Sequence, residues 1–531
     1  MFDLLIRGAR VVDGSGRPER AADIGVRAGR VVLMGDGSGA AATEHIDAKG
    51  LILTPGLIDP HSHSDWSVLA NRDALSSIHQ GVTTEVVGNC GVTYAPLADP
   101  NVDAARAALA SFGYSGEVTW RTFGELLEVV HGSGTAQNLA WFVGHTALRN
   151  AAAHAEADLV TAMRWYLEEA LEAGALGFTS GLEYGAGRFA SSEELEVLAR
   201  VAGARGAMYA SHIRNRDADL DRAVDEFFRV VRAGEVRAQL SHLNVRHDTG
   251  AADGAWHSAV SRLERERSAG WDVLADMTPY PHGIGLATGL LPDWLIASGD
   301  EAAAEALRDP AVRASVREDA DRYWRFIHRG QWERVRLAVS PATPEWEGRT
   351  FPELAQLTGR DEWSVLFDVL SENGRDIGAV QFIGELFTED HVAEAVGHDL
   401  FLLGVDGFTS RREGPLGRRT PHPLFFHGYQ HFLSHHALRA HNLSFEAAVH
   451  KMTGAVADHF GIVERGRIGP GAHADLVLWD PERLRETDTF TMPDLYATSA
   501  RHVWVNGIAV VRDGKRTQAR PGVRLDRNNV C

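Results

Sequence analysis

Cysteine is nearly missing from this chain: there are two in 531 residues, Cys90 and Cys531. Two thiols this far apart make no disulfide framework, which excludes the small secreted scaffolds and points to a reducing, cytoplasmic setting. A basic excess is missing too. The formal charge is −19, whereas a nucleic-acid or anionic-membrane partner demands a basic face. No run approaches the about 20 uninterrupted apolar residues of a spanning helix. The opening segment MFDLLIRGARVV lacks the basic start of a signal peptide and reads as a strand. Lysine is confined to Lys49, Lys451 and Lys515. There is no G-x-S-x-G elbow, no P-loop and no G-x-G-x-x-G after a predicted strand, so serine-hydrolase, NTPase and dinucleotide chemistries lack their signals. What is present is ordinary globular material, 44% hydrophobic and 24% charged, long enough for one large domain and a smaller one.

Both ends of the chain are rich in short strands. LLIRGARVVDGSG, ADIGVRAGRVVLMGDG and GLILTPG open it, and ADLVLWDP and RHVWVNGIAVVRDGK close it. Apolar residues alternate or run briefly between Gly, Asp and Ser punctuation, the pattern of an antiparallel sheet. Residues 1–55 with 465–531 are therefore expected to form one β-sandwich domain. Between them, GLID, GVTTEVVGNCG, NLAWFVGH, ALGFTSGLEYG, GAMYASHIRN, RAQLSHLNV, GWDVLADMTPY and LFLLGVDGF read as strands. Helical segments such as ADLVTAMRWYLEEALEAG separate them and close at glycine. Repeated β-then-α over residues 56–464 predicts a parallel α/β architecture, a (β/α)8 TIM-like barrel whose site lies at the C-terminal ends of the strands. Residues 284–345 break this rhythm and are expected to form a helical insertion near the barrel mouth.

Chemistry-bearing residues recur at those strand ends. After GLID comes Pro60-His61-Ser62-His63, where alternation puts both imidazoles on one side, within reach of one metal ion. Cys90 lies in GNCG at the end of the next strand, where a thiolate would be a strong zinc ligand. No lysine falls on a predicted barrel strand to bridge a metal pair as a carbamate, so if two metal sites share a bridging anion, Cys90 is the candidate to supply it. His212 and His242 end two later strands in matching contexts, and Asp406 ends the last. A carboxylate facing a metal centre stays ionised and can accept a proton from water. His427, His431 and His435, spaced i, i+4, i+8, are read as a solvated helix face, Cys531 as a frayed terminal residue, and Asp65 as structural.

These residues and their neighbours carry a resemblance. TPGLIDPHSHSD, QGVTTEVVGNCGVTYAPL, the GH of FVGHTALR, GALGFTSGLEYGAG, SHIRN, LRDPAVR, the VDG at Asp406 and MTGAVADHFGIVERGRIGPGAHADLVLWDP make the chain similar to the N-acyl-D-amino-acid deacylases (D-aminoacylases) of the amidohydrolase superfamily. The resemblance implies a zinc-dependent enzyme cleaving the linear amide bond of a small N-acyl substrate. It implies His61 and His63 as the H-x-H pair, Cys90 as the metal-bridging cysteine, His212 and His242 as further ligands, and Asp406 as the catalytic acid–base. One Zn2+ would be held tightly and a second more weakly. Tyr184 corresponds to a tyrosine thought to touch substrate, and His145 or Tyr184 are candidate donors to the oxyanion.

Two departures concern the substrate. The family's lysine two residues after the second late histidine is Asn244 here, and the arginine of its H-P-R is Leu424 in His422-Pro423-Leu424. Losing two cations that pair with one carboxylate leaves that carboxylate unpaired and costly to bury. Either Arg411, Arg412, Arg418 or Arg419 replaces them, or the substrate is a neutral amide, aryl amide, urea or carbamate without the carboxylate; the second is the preferred expectation. From another class, an inactive scaffold on the same fold is the competing reading. No sequence feature specifies an oligomeric state.

Overall fold

A computed structural model describes residues 1–319, 324–418, 422–485 and 494–527; Arg419 and Cys531 lie outside them. Strands from both ends of the chain pair in one nine-stranded sheet. Phe2–Val11 runs antiparallel to Arg20–Arg27 and parallel to Ala42–Asp47, while Ile52–Pro55 pairs antiparallel with Leu476–Trp479. The alternation seen in the sequence has its cause here. Leu4, Ile6, Ala9, Val11, Leu476, Leu478 and Trp504 bury one face in a cluster of their own. The last stretch does not stay with that sheet: Arg524–Leu525 pairs in parallel with Asn138–Trp141.

The middle of the chain supplies a set of parallel strands: β1 (Leu57–Asp59), β2 (Val82–Val87), β3 (Asn138–Trp141), β4 (Val143–Gly144), β5 (Gly177–Gly181), β6 (Met208–His212), β7 (Ala238–Leu240), β8 (Val273–Met277) and β9 (Phe401–Leu403). Each segment named above as a parallel-strand candidate contributes one of them, with NLAWFVGH split into β3 and β4. β1, β2 and β3 pair in one sheet, and β4 to β9 pair in sequence order in another. Between β9 and β1 an isolated Ser62–Gly407 bridge forms, with the Asp406 N–H donating to the His61 carbonyl at 3.1 Å. The ladder thus curls as an α/β parallel set without closing as a continuous barrel. Helices such as Leu159–Glu172 and Ser192–Gly203 start at Asp158 and Ser191, whose side chains accept the N–H groups of Thr161 and Glu194. Such caps satisfy donors that the first helical turn leaves unpaired. The amphipathic faces of these helices pack on the strands in the largest core cluster.

The break in rhythm is larger than residues 284–345. Three antiparallel strands, His282–Leu286, Val335–Val339 and Gln381–Glu385, form their own sheet within the segment between β8 and β9. Gln381–Glu385 buries Phe382 and Ile383 as a strand of the parallel set would, and its pairing sets it apart. Among the described residues no helix is long and apolar enough to cross a membrane.

Candidate functional site

Register decides where the site forms. In the parallel ladder Gly181 is opposite His212, and Ser211 is opposite Leu240. The residues just past each strand therefore meet at one edge. The turn after β2 shows how local sequence contributes. Gly88 and Gly91 have φ of +80° and +77°, and an added Cβ would stand 2.2 Å from the Phe142 carbonyl oxygen and 2.6 Å from the Gly181 nitrogen. Only glycine fits that approach. Cys90 between them has φ 53°, His242 has φ 35° and Asp406 has φ 54°. Three non-glycine residues in the left-handed region at one site are backbone strain held by the surrounding fold, which is how reactive side chains are often aimed. Asp65 accepts the Gly88 N–H at 3.2 Å, a supporting contact for the same turn.

The fold brings His61, Cys90, His242 and Asp406 together, with their ligand atoms all within 4.8 Å of one another. His61 Nε2 is 3.2 Å from Cys90 Sγ, which is 3.5 Å from His242 Nε2. Asp406 carboxylate oxygens lie 3.3 Å from His61 Nε2 and 3.9 Å from His242 Nε2. Ligand atoms about 2.0–2.3 Å from a tetrahedral zinc ion stand about 3.3–3.8 Å apart, so this donor set fits zinc in spacing as well as in type. His63 joins through its Nε2, 3.1 Å from Asp406. His212 reaches the group edge-on, its ring centroid 4.6 Å from that of His242, and turns Nε2 to Glu183 at 2.8 Å.

The charges around this cluster depend on one another. Burial alone would raise the Cys90 thiol, but the His61, His212 and His242 imidazoles outweigh it and hold it well below the usual range. Burial also opposes ionisation of Asp406, yet His61 and His242, with hydrogen bonds from His61 and His63, hold its carboxyl well below normal. Burial would lower His63, but Asp406 and Cys90 bring it up to about 9. Metal ions compete with protons for such ligands.

Tyr184 donates its hydroxyl to the Cys90 carbonyl at 3.2 Å and packs on the His212 ring at 4.8 Å. Burial, then the Cys90 and Asp406 charges, push its phenol well up, so it remains a donor. His145 belongs to another network: its Nε2 is 2.6 Å from Glu194, and its ring is fully buried. Asn244 is buried and accepts from Arg216 at 3.4 Å.

The solvated face assigned to His427, His431 and His435 is corrected by the structure. His427 and His431 are buried and His435 is half-buried. The helix Leu424–His431 continues as a π-helix, Phe432–Arg439, and His431 stacks on Tyr280 at 4.2 Å. Polar residue type suggested solvent, whereas packing decided burial. His431, His435 and His436 also bring ring nitrogens within 4.8 Å. Both nitrogens of His436 are engaged there, by the Pro279 carbonyl and by Asn442, each at 2.9 Å.

Four groups at the site escaped the sequence reading. Asp276, inside β8, lies 3.2 Å from His61 Nδ1 and accepts the His242 N–H at 2.9 Å, so it orients two candidate ligands at once. An acid on a barrel strand was the available signal. Glu183, Arg216 and Arg246 had none, because their partnership depends on the adjacency of β5, β6 and β7. Arg246 grips Glu183 at 2.5 and 2.7 Å and Asp217 at 3.0 Å, fully inside the protein. Burial opposes the Glu183 charge, but Arg246, His212 and Arg216 hold its carboxyl well below the usual range. Glu183→Gln would leave buried guanidinium charge under-compensated and should cost about 3–5 kcal/mol in chemical denaturation. Because the folded value is depressed, this stabilisation is complete above the ordinary carboxyl value of 4.5 and is lost as pH falls through the lower folded value. The variant should lose that part of the acid dependence, and an unchanged curve would refute the role.

Parallel strands with a His/Cys/Asp cluster at their C-terminal ends define a class, the α/β enzymes of metal-assisted hydrolysis. Residues 44–182 and 413–511 match the model of the Amidohydrolase family. The chain is 34% identical to N-acyl-D-glutamate deacylase of Alcaligenes xylosoxydans xylosoxydans, covering 99% of this chain and 97% of that one. The crystal structure of D-aminoacylase superposes with a TM-score of 0.81 at 30% identity, covering 99% of this chain and all of the other. N-acyl-D-glutamate deacylase from Bordetella bronchiseptica, solved with zinc and a phosphonate mimic of the tetrahedral intermediate, gives the same TM-score and identity over 99% of each chain. The chain belongs to the amidohydrolase family and, within it, to the N-acyl-D-amino-acid deacylases.

Proposed function

We propose that this protein is a zinc-dependent amidohydrolase that cleaves the N-acyl bond of an acylated D-amino acid, with the reaction centred on Asp406. The observation that carries the reading is the convergence of His61, Cys90, His242 and Asp406, from four separate strand ends, at the spacing of zinc ligands. His61, His63, Cys90, His212 and His242 would hold the metal, one ion tightly and a second more weakly. When bound, zinc polarises the amide carbonyl and lowers the pKa of water.

The chain's own groups do the rest. Asp406, ionised and hydrogen-bonded by His61 and His63, accepts a proton from the attacking water. It then delivers that proton to the leaving nitrogen, so the amine departs neutral. Tyr184, protonated, would turn its O–H from the Cys90 carbonyl to the developing oxyanion. Asp276 keeps His61 and the His242 backbone in place. The zinc-loaded protein should release free amine from N-acyl-D-amino acids, lose that activity to a chelator and regain it with zinc. Full zinc occupancy with no hydrolysis across a panel of acyl-amino acids and neutral amides would refute the reading.

A further inference from the structure

We infer that Arg216 is the specificity-determining cation of this site and that it binds the carboxylate of the substrate; this rests on the hydrolase reading above. Arg216 is 92% buried, at 8% exposure, yet poorly paired. A guanidinium carries five N–H donors and no acceptor. Nη1 reaches His242 Nδ1 at 3.1 Å and Asn244 Oδ1 at 3.4 Å, and Nη2 reaches Glu183 at 3.4 Å. Nε is buried and has no hydrogen-bond partner among the described residues. Among the described residues its ion-pair partner is Glu183 at 3.4 Å, which is already committed to Arg246 at 2.5 Å and His212 at 2.8 Å. A buried cation with long contacts and an idle donor is costly unless an anion completes it.

Position says which anion. His242 presents Nδ1 to Arg216 and Nε2 to Cys90 and Asp406. One imidazole ring therefore separates the guanidinium from the cluster that handles the amide. In an N-acyl amino acid the carboxylate carbon is two bonds from the amide nitrogen, so both groups can be met at once. A neutral imidazole coordinated through Nε2 carries its proton on Nδ1, which a guanidinium cannot accept. Loading the site would release that Nη1 contact for the substrate as well. Of the arginines after Asp406, Arg411 is half-buried, Arg412 and Arg418 are exposed, and Arg412 pairs with Asp494 at 3.0 Å. With Asn244 and Leu424 neutral, and Arg246 taken up by Glu183 and Asp217, Arg216 is the cation that contacts His242 among the described residues, and a substrate carboxylate is retained.

The test compares wild type, Arg216→Gln and Arg216→Lys on N-acetyl-D-amino acids and on the matching carboxamides. Zinc content and thermal unfolding are measured on every sample. Binding of uncleaved acid and amide is measured by calorimetry in the zinc-loaded Asp406→Asn background, with and without Arg216→Gln. Removing a buried charge pair across an interface is expected to weaken acid binding and kcat/KM by about 100-fold. That loss should fall on KM, with the amide changed less than about threefold and Arg216→Lys recovering part of it by keeping the charge. Equal losses on acid and amide, or an acid preference that survives Arg216→Gln, would overturn the assignment. If Arg216→Gln fails to fold, Arg216→Lys decides: a raised KM for the acid alone supports the role, and a uniform loss overturns it. Should the zinc-loaded wild type cleave neither compound, the hydrolase reading fails, and the calorimetry still reports whether Arg216 distinguishes acid from amide.

Discussion

Asp406→Asn should lower kcat by about a thousandfold or more while the zinc content stays at the wild-type level. Positioned acid–base catalysis is worth about 10²–10⁴ in rate, and here one carboxylate serves both the attacking water and the leaving amine. Asparagine keeps the shape but can neither take nor return a proton at neutral pH. It also turns a neutral amide toward His61 and His63, whose rings lie 3.3 and 3.1 Å from the carboxylate. Cys90, His61 and His242 remain to hold the metal. Steady-state kinetics on an N-acyl-D-amino acid, with metal content measured on the same sample, checks both halves. A variant with near-normal turnover would show that the proton travels elsewhere.

Cys90→Ala should weaken zinc binding by more than about 100-fold, with activity falling in step with occupancy. Loss of a group that merely orients a ligand costs 10–100-fold in metal affinity, and Cys90 is itself a candidate ligand. Three imidazoles hold its thiol well below the usual range, and it is 3.2 and 3.5 Å from two of them. Its removal leaves Asp406 as the anion among the His61, His63 and His242 rings. Alanine adopts the left-handed backbone of residue 90 no less easily than cysteine does, so the fold should survive. Titration against a competing chelator reads the affinity, and circular dichroism checks the fold. Wild-type affinity in a folded variant would remove Cys90 from the metal site.

The two variants separate the parts of the reading. Asp406→Asn should stop chemistry with metal in place, whereas Cys90→Ala should stop it by emptying the site. Arg216→Gln should do neither and should change which substrate is accepted.

How far the residues alone could be read follows from what each signal depends on. Strand identity came from short apolar runs closed by glycine or a polar residue, a pattern local to about ten positions. The placement of His61, His63, Cys90, His212, His242 and Asp406 near strand ends followed from that same pattern. The limits appear where local pattern is ambiguous. Gln381–Glu385 looks like a barrel strand but pairs antiparallel with His282–Leu286 and Val335–Val339. His427 and His431 look polar but are buried, His431 beneath Tyr280. Arg524–Leu525 looks like part of the C-terminal sheet but lies beside β3.

The sequence by itself determined the family, the parallel order of strands and the residue types available for metal and proton chemistry, because each is encoded in spacing along the chain. Tertiary structure alone decided the surroundings of those residues. Asp276 behind His61, Glu183 shared by His212 and Arg246, and Arg216 beside His242 are contacts between separate strands and the loops that follow them, 26 to 215 positions apart. Register and twist bring them together, and neither is written in any one segment.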